Sequence, residues 1–436
     1  MTRLDDKAVV QRELAAARRR SLALLDPLSD LDQRRQHSPL MAPLAWDLGH
    51  VANYEEQWLV RALGGVAPGA GRHDLDDVYD AFRHPRPTRP SLPFLGPAEA
   101  RAYAEAVRDA ALELLDRADL GPAEPLLDGA FVYGMVAQHE HQHDETMLAT
   151  RQLMGEGAPA LEGAAPPPPG QPVRPDEVLV PAGTYPIGTD LDRWAYDNER
   201  PAHAVELAAF RIDATPVTCR RYLDFVEAGG YREQRWWSEE GWAWCRREGA
   251  SAPLFWRDEG GGAWSVLRFG RRIDLPLEEP VQHVSWHEAD ACARFLGRRL
   301  PTEFEWEVAA SVGLDGAKRR HPWGDDPPGL AHANLGQRSD GPAPVGAYPA
   351  GMSARGCHQM LGDVWEWTSS DFEAYPGFRT FPYREYSEVF FGSGYKVLRG
   401  GSWATAPVAA RPTFRNWDFA IRRQIFSGFR CARDAA

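Results

Sequence analysis

The sequence predicts two domains of different fold class, a four-helix bundle followed by an irregular α+β domain. In the first part, segments rich in Ala, Leu, Glu and Arg show apolar spacings of three and four, near 7–26, 38–65, 97–118 and 128–155. Residues 156–177 are rich in proline and glycine, which is typical of a semi-rigid linker. Beyond the linker lie fourteen of the sixteen tryptophans, among many turn-forming residues. We therefore expect domains at 1–155 and 178–436.

The individual elements follow from local patterns. Four helical segments joined by loops favour a bundle, whose interior is a usual place for a metal site. In the second domain we expect strands at Val178–Val180 and Lys396–Arg399, and helices near 216–229, 285–298 and 302–312. The loop at 66–96 is rich in Pro, Gly and Arg, and its length favours a functional role.

Composition and charge exclude several classes of function. The net charge of −13 argues against nucleic acid or an anionic membrane as partner. Apolar runs such as 131–137 are too short to span a bilayer. The five cysteines are widely spaced and form no CxxC pair, so neither a disulfide framework nor a zinc knuckle is expected. A reducing cytoplasm fits this cysteine usage.

The segment 138–148, Gln-His-Glu-His-Gln-His-Asp-Glu-Thr-Met-Leu, predicts a metal site. On a helix, His139 and His143 lie one turn apart and share a face. His141 is rotated by about 200° from His139 and cannot join them. His50, in a second helical segment, is a candidate third ligand. Three imidazoles leave coordination positions open for substrate, and the residues alone permit zinc as well as iron.

Further candidates each have a structural alternative. Arg86 and Arg89, three apart among prolines, can present two guanidinium forks to carboxylates or form a solvated pair. Tyr383 and Tyr386 can simply pack within an aromatic-rich loop, and Trp417 can be a residue of the hydrophobic core. Gln142, one turn from His139, can support a metal ligand.

Several phrases beyond residue 178 resemble the formylglycine-generating-enzyme (sulfatase-modifying) domain, a C-type-lectin-like fold. They are Asn198-Glu-Arg-Pro201, Pro280-Val-Gln-His-Val-Ser-Trp286, Arg299-Leu-Pro-Thr-Glu-Phe-Glu-Trp306-Glu, Leu361-Gly-Asp-Val-Trp-Glu-Trp367, Val397-Leu-Arg-Gly-Gly-Ser-Trp403 and Gly428-Phe-Arg430. The family's oxidases carry a cysteine pair near this end of the chain, whereas Cys431 stands alone. Formylglycine generation is therefore not expected.

The first domain resembles the DinB-like metal-binding bundle, through His50 in Trp-Asp-Leu-Gly-His and through His139 and His143. The fusion of the two modules in this order resembles the non-haem iron sulfoxide synthases of ergothioneine biosynthesis (EgtB). That resemblance implies iron(II) on the three histidines, with hercynine (Nα-trimethylhistidine), O2 and a thiol donor as substrates. It also implies an active site that draws on both domains.

The resemblance implies a role for each candidate. Arg86 and Arg89 would hold the carboxylates of γ-glutamylcysteine, and Asp418 its ammonium group. Asn416 and Trp417 would bind hercynine, and Tyr386 would support its imidazole. Tyr383 would be the proton donor in the reaction with oxygen, with Tyr375 as a competing candidate. Gln142 is expected beside the substrates.

Three alternatives remain open at this point. The same reaction can use free cysteine as donor, although the paired arginines favour the larger substrate with its extra carboxylate. A DinB-like thiol transferase or zinc hydrolase fused to a binding-only domain is a rival. A carbohydrate-binding module would require neither a metal nor His50.

Overall fold

The chain forms two compact units, Met1–Leu161 and Glu162–Ala436. The computed structural model describes residues 3–68, 74–155, 157 and 165–435. Of the predicted linker, residues 156 and 158–164 therefore lie outside the described residues. Its later part bonds to the second unit, where the Ala165 N–H donates to the Arg338 carbonyl at 2.8 Å. The domain limits 1–155 and 178–436 stay a prediction.

The first unit is built on four long helices that coincide with the four predicted helical segments. The helices of the described residues are α1 (Arg3–Leu25), α2 (Asp30–Arg34), α3 (Leu44–Glu55), α4 (Asp74–Val78), α5 (Pro97–Arg117) and α6 (Phe131–Met154). α1 packs along α6, while α3 packs along both α5 and α6. The residues of α3 and α6 therefore face one another, as a site built from both helices requires.

Helix boundaries follow local capping. α5 begins with Pro97 at its first position, and the Glu99 carboxylate accepts the Gly96 N–H at 3.0 Å. α6 ends at Gly155, whose φ of 73° suits glycine. α3 continues as a π-helix, Glu56–Arg61, a form that is frequent at functional sites. The predicted long loop contains α4 and a 3₁₀ helix, Arg86–Ser91.

Two arginines and two glutamates occupy the interior of the bundle. Arg108 donates to Glu55 at 2.5 and 3.0 Å and to Glu140 at 2.8 Å. Arg18 donates to Glu140 at 2.7 Å and to Glu55 at 2.8 Å. Burial alone would raise the pKa of Glu140. The two guanidinium groups together have the larger, opposite effect and lower this pKa to about 2. The four side chains thus form a charge-balanced network that joins α1, α3, α5 and α6.

The described residues of the second unit form four small sheets rather than one large one. Its strands are β1 (Glu177–Val180), β2 (Gly183–Ile187), β3 (His203–Leu207), β4 (Phe210–Asp213), β5 (Trp256–Gly260), β6 (Ala263–Arg268), β7 (Arg271–Asp274), β8 (Trp365–Asp371), β9 (Tyr395–Arg399), β10 (Asn416–Phe419), β11 (Ser427–Gly428) and β12 (Ala432–Asp434). The sheets have the orders β1-β4-β12, β10-β9-β8-β11, β2-β3 and β5-β6-β7. Both predicted strands are present, as β1 and β9.

Four helices accompany these sheets, namely α7 (Cys219–Glu227), α8 (Glu239–Glu248), α9 (Trp286–Phe295) and α10 (Glu303–Ser311). α7, α9 and α10 confirm the predicted helices, whereas α8 was not predicted. Its capping residues are nevertheless visible in the sequence, with Ser238 at the N-cap and Gly249 after the last turn. Among the described residues, no helix is long and apolar enough to cross a lipid bilayer.

The phrases that carry the family resemblance bond to one another in the interior of the second unit. Glu366, from the Leu361–Trp367 phrase, accepts from Arg430 at 2.6 and 2.8 Å and from the Trp306 indole at 2.8 Å. Glu303 accepts both arms of the Arg415 guanidinium at 2.8 Å. Distant phrases are therefore linked by buried, paired charges, which sequence periodicity does not reveal.

Candidate metal and substrate sites

Three histidines converge where α3 faces α6. Potential ligand nitrogens of His50, His139 and His143 all lie within 4.8 Å of one another. The ring centroids are separated by 4.6–5.2 Å. The structure therefore brings together the three residues predicted to be ligands, and this group can hold a metal ion.

Hydrogen bonds fix the orientation of two of these rings. The Nδ1 atom of His50 lies 2.8 Å from the Tyr79 carbonyl oxygen, which can only accept. The Nδ1 atom of His143 lies 3.2 Å from the Asp47 carboxylate. In both residues Nδ1 is thus the protonated nitrogen, and Nε2 keeps its lone pair for a metal.

The third ring, that of His139, is held by stacking. It lies on Tyr54, with centroids 3.8 Å apart and planes 19° apart. Its Nδ1 atom is buried without a hydrogen-bond partner among the described residues. Burying a polar nitrogen without a hydrogen-bond partner destabilises the fold. Coordination of a metal by the His139 ring would offset part of that unfavourable free energy. The donor set therefore fits a divalent transition metal.

The environment favours neutral, metal-binding imidazoles. Burial lowers the pKa of His50 and of His139 well below the usual value, and the neighbouring His143 lowers both further. Only the neutral ring can donate its nitrogen lone pair to a metal.

Tyr79 connects the long loop to the metal site. Its hydroxyl accepts the Leu95 N–H at 3.0 Å, and its carbonyl holds His50. Its ring lies against Gly49, where an added Cβ would be 2.2 Å from the Tyr79 hydroxyl oxygen. Glycine beside His50 is therefore needed for the close approach of this loop.

Arg89 lies beside the metal site. Its guanidinium stacks on Trp46 at 3.8 Å from the ring centroid, and Trp46 in turn stacks on His50 at 4.9 Å. Arg89 is buried and donates to the His84 carbonyl at 3.0 Å. Burial lowers the pKa of Arg89 to about 10, while the Asp47 carboxylate acts in the opposite direction. Arg86, on the same 3₁₀ helix, is half-buried.

The two other candidates on α6 lie in different surroundings. His141 is buried, and its Nδ1 atom lies 3.2 Å from the Asp144 carboxylate, so it belongs to the polar interior of the bundle. Gln142 is half-buried, and its backbone carbonyl accepts the Thr146 hydroxyl at 3.1 Å. As helical geometry predicted, His141 lies outside the group formed by His50, His139 and His143.

In the second unit the structure brings together Tyr383, Tyr386 and Trp417. Tyr386 meets Tyr383 edge-on at 6.2 Å and Trp417 edge-on at 5.9 Å. Trp417 stacks on Phe372 at 4.2 Å. Tyr383 and Trp417 are half-buried, so their rings keep accessible surface. The three side chains form an aromatic cluster that is partly open to solvent.

Asn416 and Asp418 flank Trp417 on β10, which pairs with β9. Asp418 forms an ion pair with Arg422 at 3.2 Å and accepts the Phe419 N–H at 2.8 Å. Asn416 and Asp418 are both half-buried.

Tyr375 is separated from this cluster by its burial. It is 3% exposed, its hydroxyl lies 3.5 Å from Glu303, and the Arg415 guanidinium lies 4.1 Å from its ring centroid. Burial raises the pKa of Tyr375 well above its usual value. These contacts are those of a residue that packs within the buried ion pairs.

Three residues of the metal site were not predicted from sequence, namely Asp47, Tyr54 and Tyr79. Asp47 was present in the quoted Trp-Asp-Leu-Gly-His phrase, three residues before His50, and this spacing on a helix was a usable signal. Tyr79 acts through its backbone carbonyl, which leaves no trace in the sequence.

The cysteines of the second unit are enclosed by the fold. All five are free and buried. Burial raises the pKa of Cys431 well above its usual value, which suppresses the nucleophilic thiolate.

Comparison with known proteins identifies both parts of the chain. The DinB superfamily matches residues 13–147, and the sulfatase-modifying factor enzyme 1-like domain matches residues 164–435. The fold and the matches define a two-domain class in which a DinB-type bundle precedes a sulfatase-modifying-type domain. The formylglycine-generating enzyme of Streptomyces coelicolor is 35% identical over 65% of this chain and 97% of its own length.

Two relatives match nearly the whole chain. The hercynine oxygenase of Mycolicibacterium thermoresistibile is 50% identical and covers 98% of this chain and 95% of its own length. That of Mycobacterium tuberculosis is 48% identical, with 97% of each chain covered. The chain belongs to the hercynine oxygenase family, a family of oxygen-dependent oxidoreductases. The expected fold class and family are confirmed.

Proposed function

We propose that this protein uses iron(II) and O2 to join the thiol of γ-glutamylcysteine to hercynine as a sulfoxide. The observation that carries the proposal is the convergence of three imidazoles, whose potential ligand nitrogens lie within 4.8 Å of one another, in a chain of this family. Three protein ligands leave positions open for substrates, as in catalytic rather than structural metal sites.

The reaction balances with one molecule of O2. A bond forms between sulfur and the imidazole carbon that lies between the two nitrogens, and the S–H and C–H bonds break. One oxygen atom enters the sulfoxide, and the other leaves as water with the two hydrogens. When bound by the three histidines, iron(II) supplies the redox chemistry for O2 and favours the thiolate form of the donor.

Arg86 and Arg89 are proposed to bind the carboxylates of the donor. The stack on Trp46 places the Arg89 guanidinium beside His50, and Arg86 lies one 3₁₀ turn away. A guanidinium group binds a carboxylate through two parallel N–H donors. Asp418 is proposed to accept the donor's ammonium group, because a carboxylate paired with Arg422 still has acceptor positions.

Hercynine is proposed to lie against the aromatic cluster. Its quaternary ammonium cannot donate an N–H bond, so the face of Trp417 and the amide oxygen of Asn416 suit it. Tyr386 supports the imidazole from the edge of Trp417. Gln142, half-buried on α6 and next to His143, is proposed to contact the substrates through its amide.

Tyr383 is proposed to supply the proton in the reaction with oxygen. Its ring is half-buried, whereas the hydroxyl of Tyr375 is enclosed near Glu303. A phenol can donate a hydrogen bond and a proton when held against the reacting atoms. The accessible tyrosine is therefore favoured over the buried one.

A cytoplasmic location is proposed on the basis of the cysteines. All five are free, which is typical of proteins in a reducing compartment.

Oxygen uptake tests the proposed function. The iron-loaded protein should consume O2 only when hercynine and a thiol donor are both present, with one sulfoxide formed per O2. γ-Glutamylcysteine should give a higher kcat/KM than cysteine. Turnover of thiols by the zinc-loaded protein, without O2 uptake by the iron form, would instead support a DinB-like transferase or hydrolase.

Replacing Tyr383 with phenylalanine should redirect the reaction. Loss of the proton donor should lower sulfoxide formation by about 10²-fold or more and favour the cysteine sulfinic acid of the donor. Mass spectrometry of the products measures the ratio. Tyr375→Phe is the matched control and should leave the ratio unchanged. A shift in that variant alone would assign the proton donor to Tyr375.

Replacing Arg86 with glutamine should weaken binding of the donor. Loss of a charged hydrogen-bonding pair of about 1.5–3 kcal/mol should raise the KM for γ-glutamylcysteine about 10- to 100-fold and spare that for hercynine. Arg83→Gln is the control, because Arg83 is exposed in the same loop and pairs with Asp77. An equal rise for both substrates would show that Arg86 supports the fold.

A further inference from the structure

The buried 3₁₀ helix Asp197–Glu199 bonds to two segments that carry candidate substrate residues. Its last two residues begin the Asn198-Glu-Arg-Pro phrase, which resembles the family but was given no role. Asp197 is 3% exposed, and the two following residues are fully buried. Each of its three residues contacts a segment remote in sequence.

Asp197 holds both sides of the tyrosine loop, defined here as Phe381–Ser387. One carboxylate oxygen accepts the Phe381 N–H at 3.2 Å, and the other accepts the Ser387 hydroxyl. Tyr383 and Tyr386 lie between these two attachment points. The preceding residue, Tyr196, stacks on Tyr386 with centroids 4.0 Å apart and planes 20° apart. One dipeptide therefore fixes the ends of the loop and the plane of one of its rings.

The same 3₁₀ helix holds the approach to β10. The Asn198 carbonyl accepts from Arg415 at 2.9 Å, and Arg415 immediately precedes Asn416. Glu199 accepts from Arg411 at 2.5 and 2.8 Å and from Thr413 at 2.7 Å. The same three consecutive residues therefore hold both the tyrosine loop and the segment that leads into Asn416–Asp418.

A carboxylate at this position is costly, which argues against simple packing. Burial raises the pKa of Asp197 to about 6, although bonds from Ser387 and from the Phe381 and Asn198 amides act in the opposite direction. An apolar side chain would avoid that desolvation cost. The carboxylate offers one acceptor oxygen to each end of the loop, so a single side chain holds both ends at once.

We propose that Asp197 is a positioning residue that sets the place of the Tyr383 hydroxyl relative to Tyr386 and Trp417. It thereby controls the partition between sulfoxide and sulfinic acid without touching either substrate. The inference rests on the proposed function and deepens it. Asp197 acts through Tyr383, so its effect requires that hydroxyl.

The test compares Asp197→Asn, Tyr383→Phe and the double variant in the full-length iron-loaded protein. Asn has a single acceptor oxygen and no negative charge, so the bonds that hold Phe381 and Ser387 become weaker, neutral ones. We expect the sulfinic acid fraction to rise severalfold in Asp197→Asn, with no further rise when it is added to Tyr383→Phe. Ser387→Ala, which removes the bond between Ser387 and Asp197 outright, should reproduce the effect even if the Asp197 variant folds poorly.

Glu388→Gln is the matched control. Glu388 accepts from Thr380 just outside the loop, both residues are half-buried, and neither bonds to Asp197, so loss of the Glu388 carboxylate should leave the product ratio unchanged. Hydrogen exchange of loop peptides gives a readout independent of chemistry. The Phe381 amide should exchange about tenfold faster in Asp197→Asn, because its acceptor is weakened.

The outcomes separate the inference from the function on which it rests. Unchanged partition in both Asp197→Asn and Ser387→Ala, with an active wild type, would overturn the inference alone. An equal additional rise in the Tyr383→Phe background would also overturn it, because the effect would then not pass through Tyr383. A wild type that forms no sulfoxide would overturn the proposed function and this role with it.

Discussion

Replacing His139 with alanine is expected to abolish stoichiometric metal binding and to lower kcat/KM by about 10³-fold or more, or about 4 kcal/mol. The two remaining histidines, one on α3 and one on α6, cannot hold the ion on three sides. The ring also stacks on Tyr54 at 3.8 Å, so its loss removes packing from the face that carries the ligands. Metal content per chain after anaerobic loading with iron is the direct measurement.

His141→Gln is the control for the His139 variant. His141 lies on the same helix but faces Asp144, so the variant should bind one metal per chain. Circular dichroism of both variants checks that α6 is intact. Retention of one iron per chain and more than about a tenth of the activity in His139→Ala would contradict the assigned ligand set.

Replacing Arg108 with leucine is expected to destabilise the first unit by about 3–5 kcal/mol. Arg108 bonds to Glu55 and to Glu140. Without Arg108, the two buried carboxylates share a single guanidinium, that of Arg18, and one negative charge is left unbalanced. The free energy of unfolding, taken from the slowest-exchanging amides of α5 and α6, measures the change. Arg117→Leu is the control on the same helix, because Arg117 is exposed and should change stability by less than about 0.5 kcal/mol.

The destabilisation by Arg108→Leu should depend on pH in a defined direction. In the wild type, the lowered pKa of Glu140 contributes stability above pH 4.5, and this contribution is lost as the pH falls towards about 2. In the variant, Glu140 has lost the Arg108 guanidinium, and its buried negative charge is insufficiently paired. Protonation of Glu140 removes this unfavourable charge. The difference between the two proteins should therefore shrink as the pH falls from 7 to 4. A difference that widens on acidification would contradict the charge-balance explanation.

Sequence periodicity predicted the helices and part of the metal site for a clear physical reason. A helix repeats every 3.6 residues, so the spacing of His139 and His143 determines that they share a face, and the same rule separates His141. His50 could not be joined to them by periodicity, because its approach depends on how α3 packs on α6. His50 was a candidate from its own helical segment, and the family resemblance supported its grouping with the other two histidines.

The remainder of the site depends on contacts between residues far apart in sequence. The bond between His143 and Asp47 spans 96 positions, and that between Phe381 and Asp197 spans 184. Local patterns carry no information over such separations. The buried arginines of the bundle were hidden for another reason, because arginine and glutamate on a helix ordinarily indicate a solvated face.

Arg89, the proposed anion-binding residue, and His50, a proposed metal ligand, both stack on the indole ring of Trp46. Under the proposed function, a carboxylate that binds Arg89 changes the charge held against that ring. Thermodynamic reciprocity then applies: whatever factor the donor contributes to metal affinity, the metal must contribute to donor affinity. On this proposal the apparent iron affinity depends on donor concentration, and an iron titration with donor present would give a different constant from one without it.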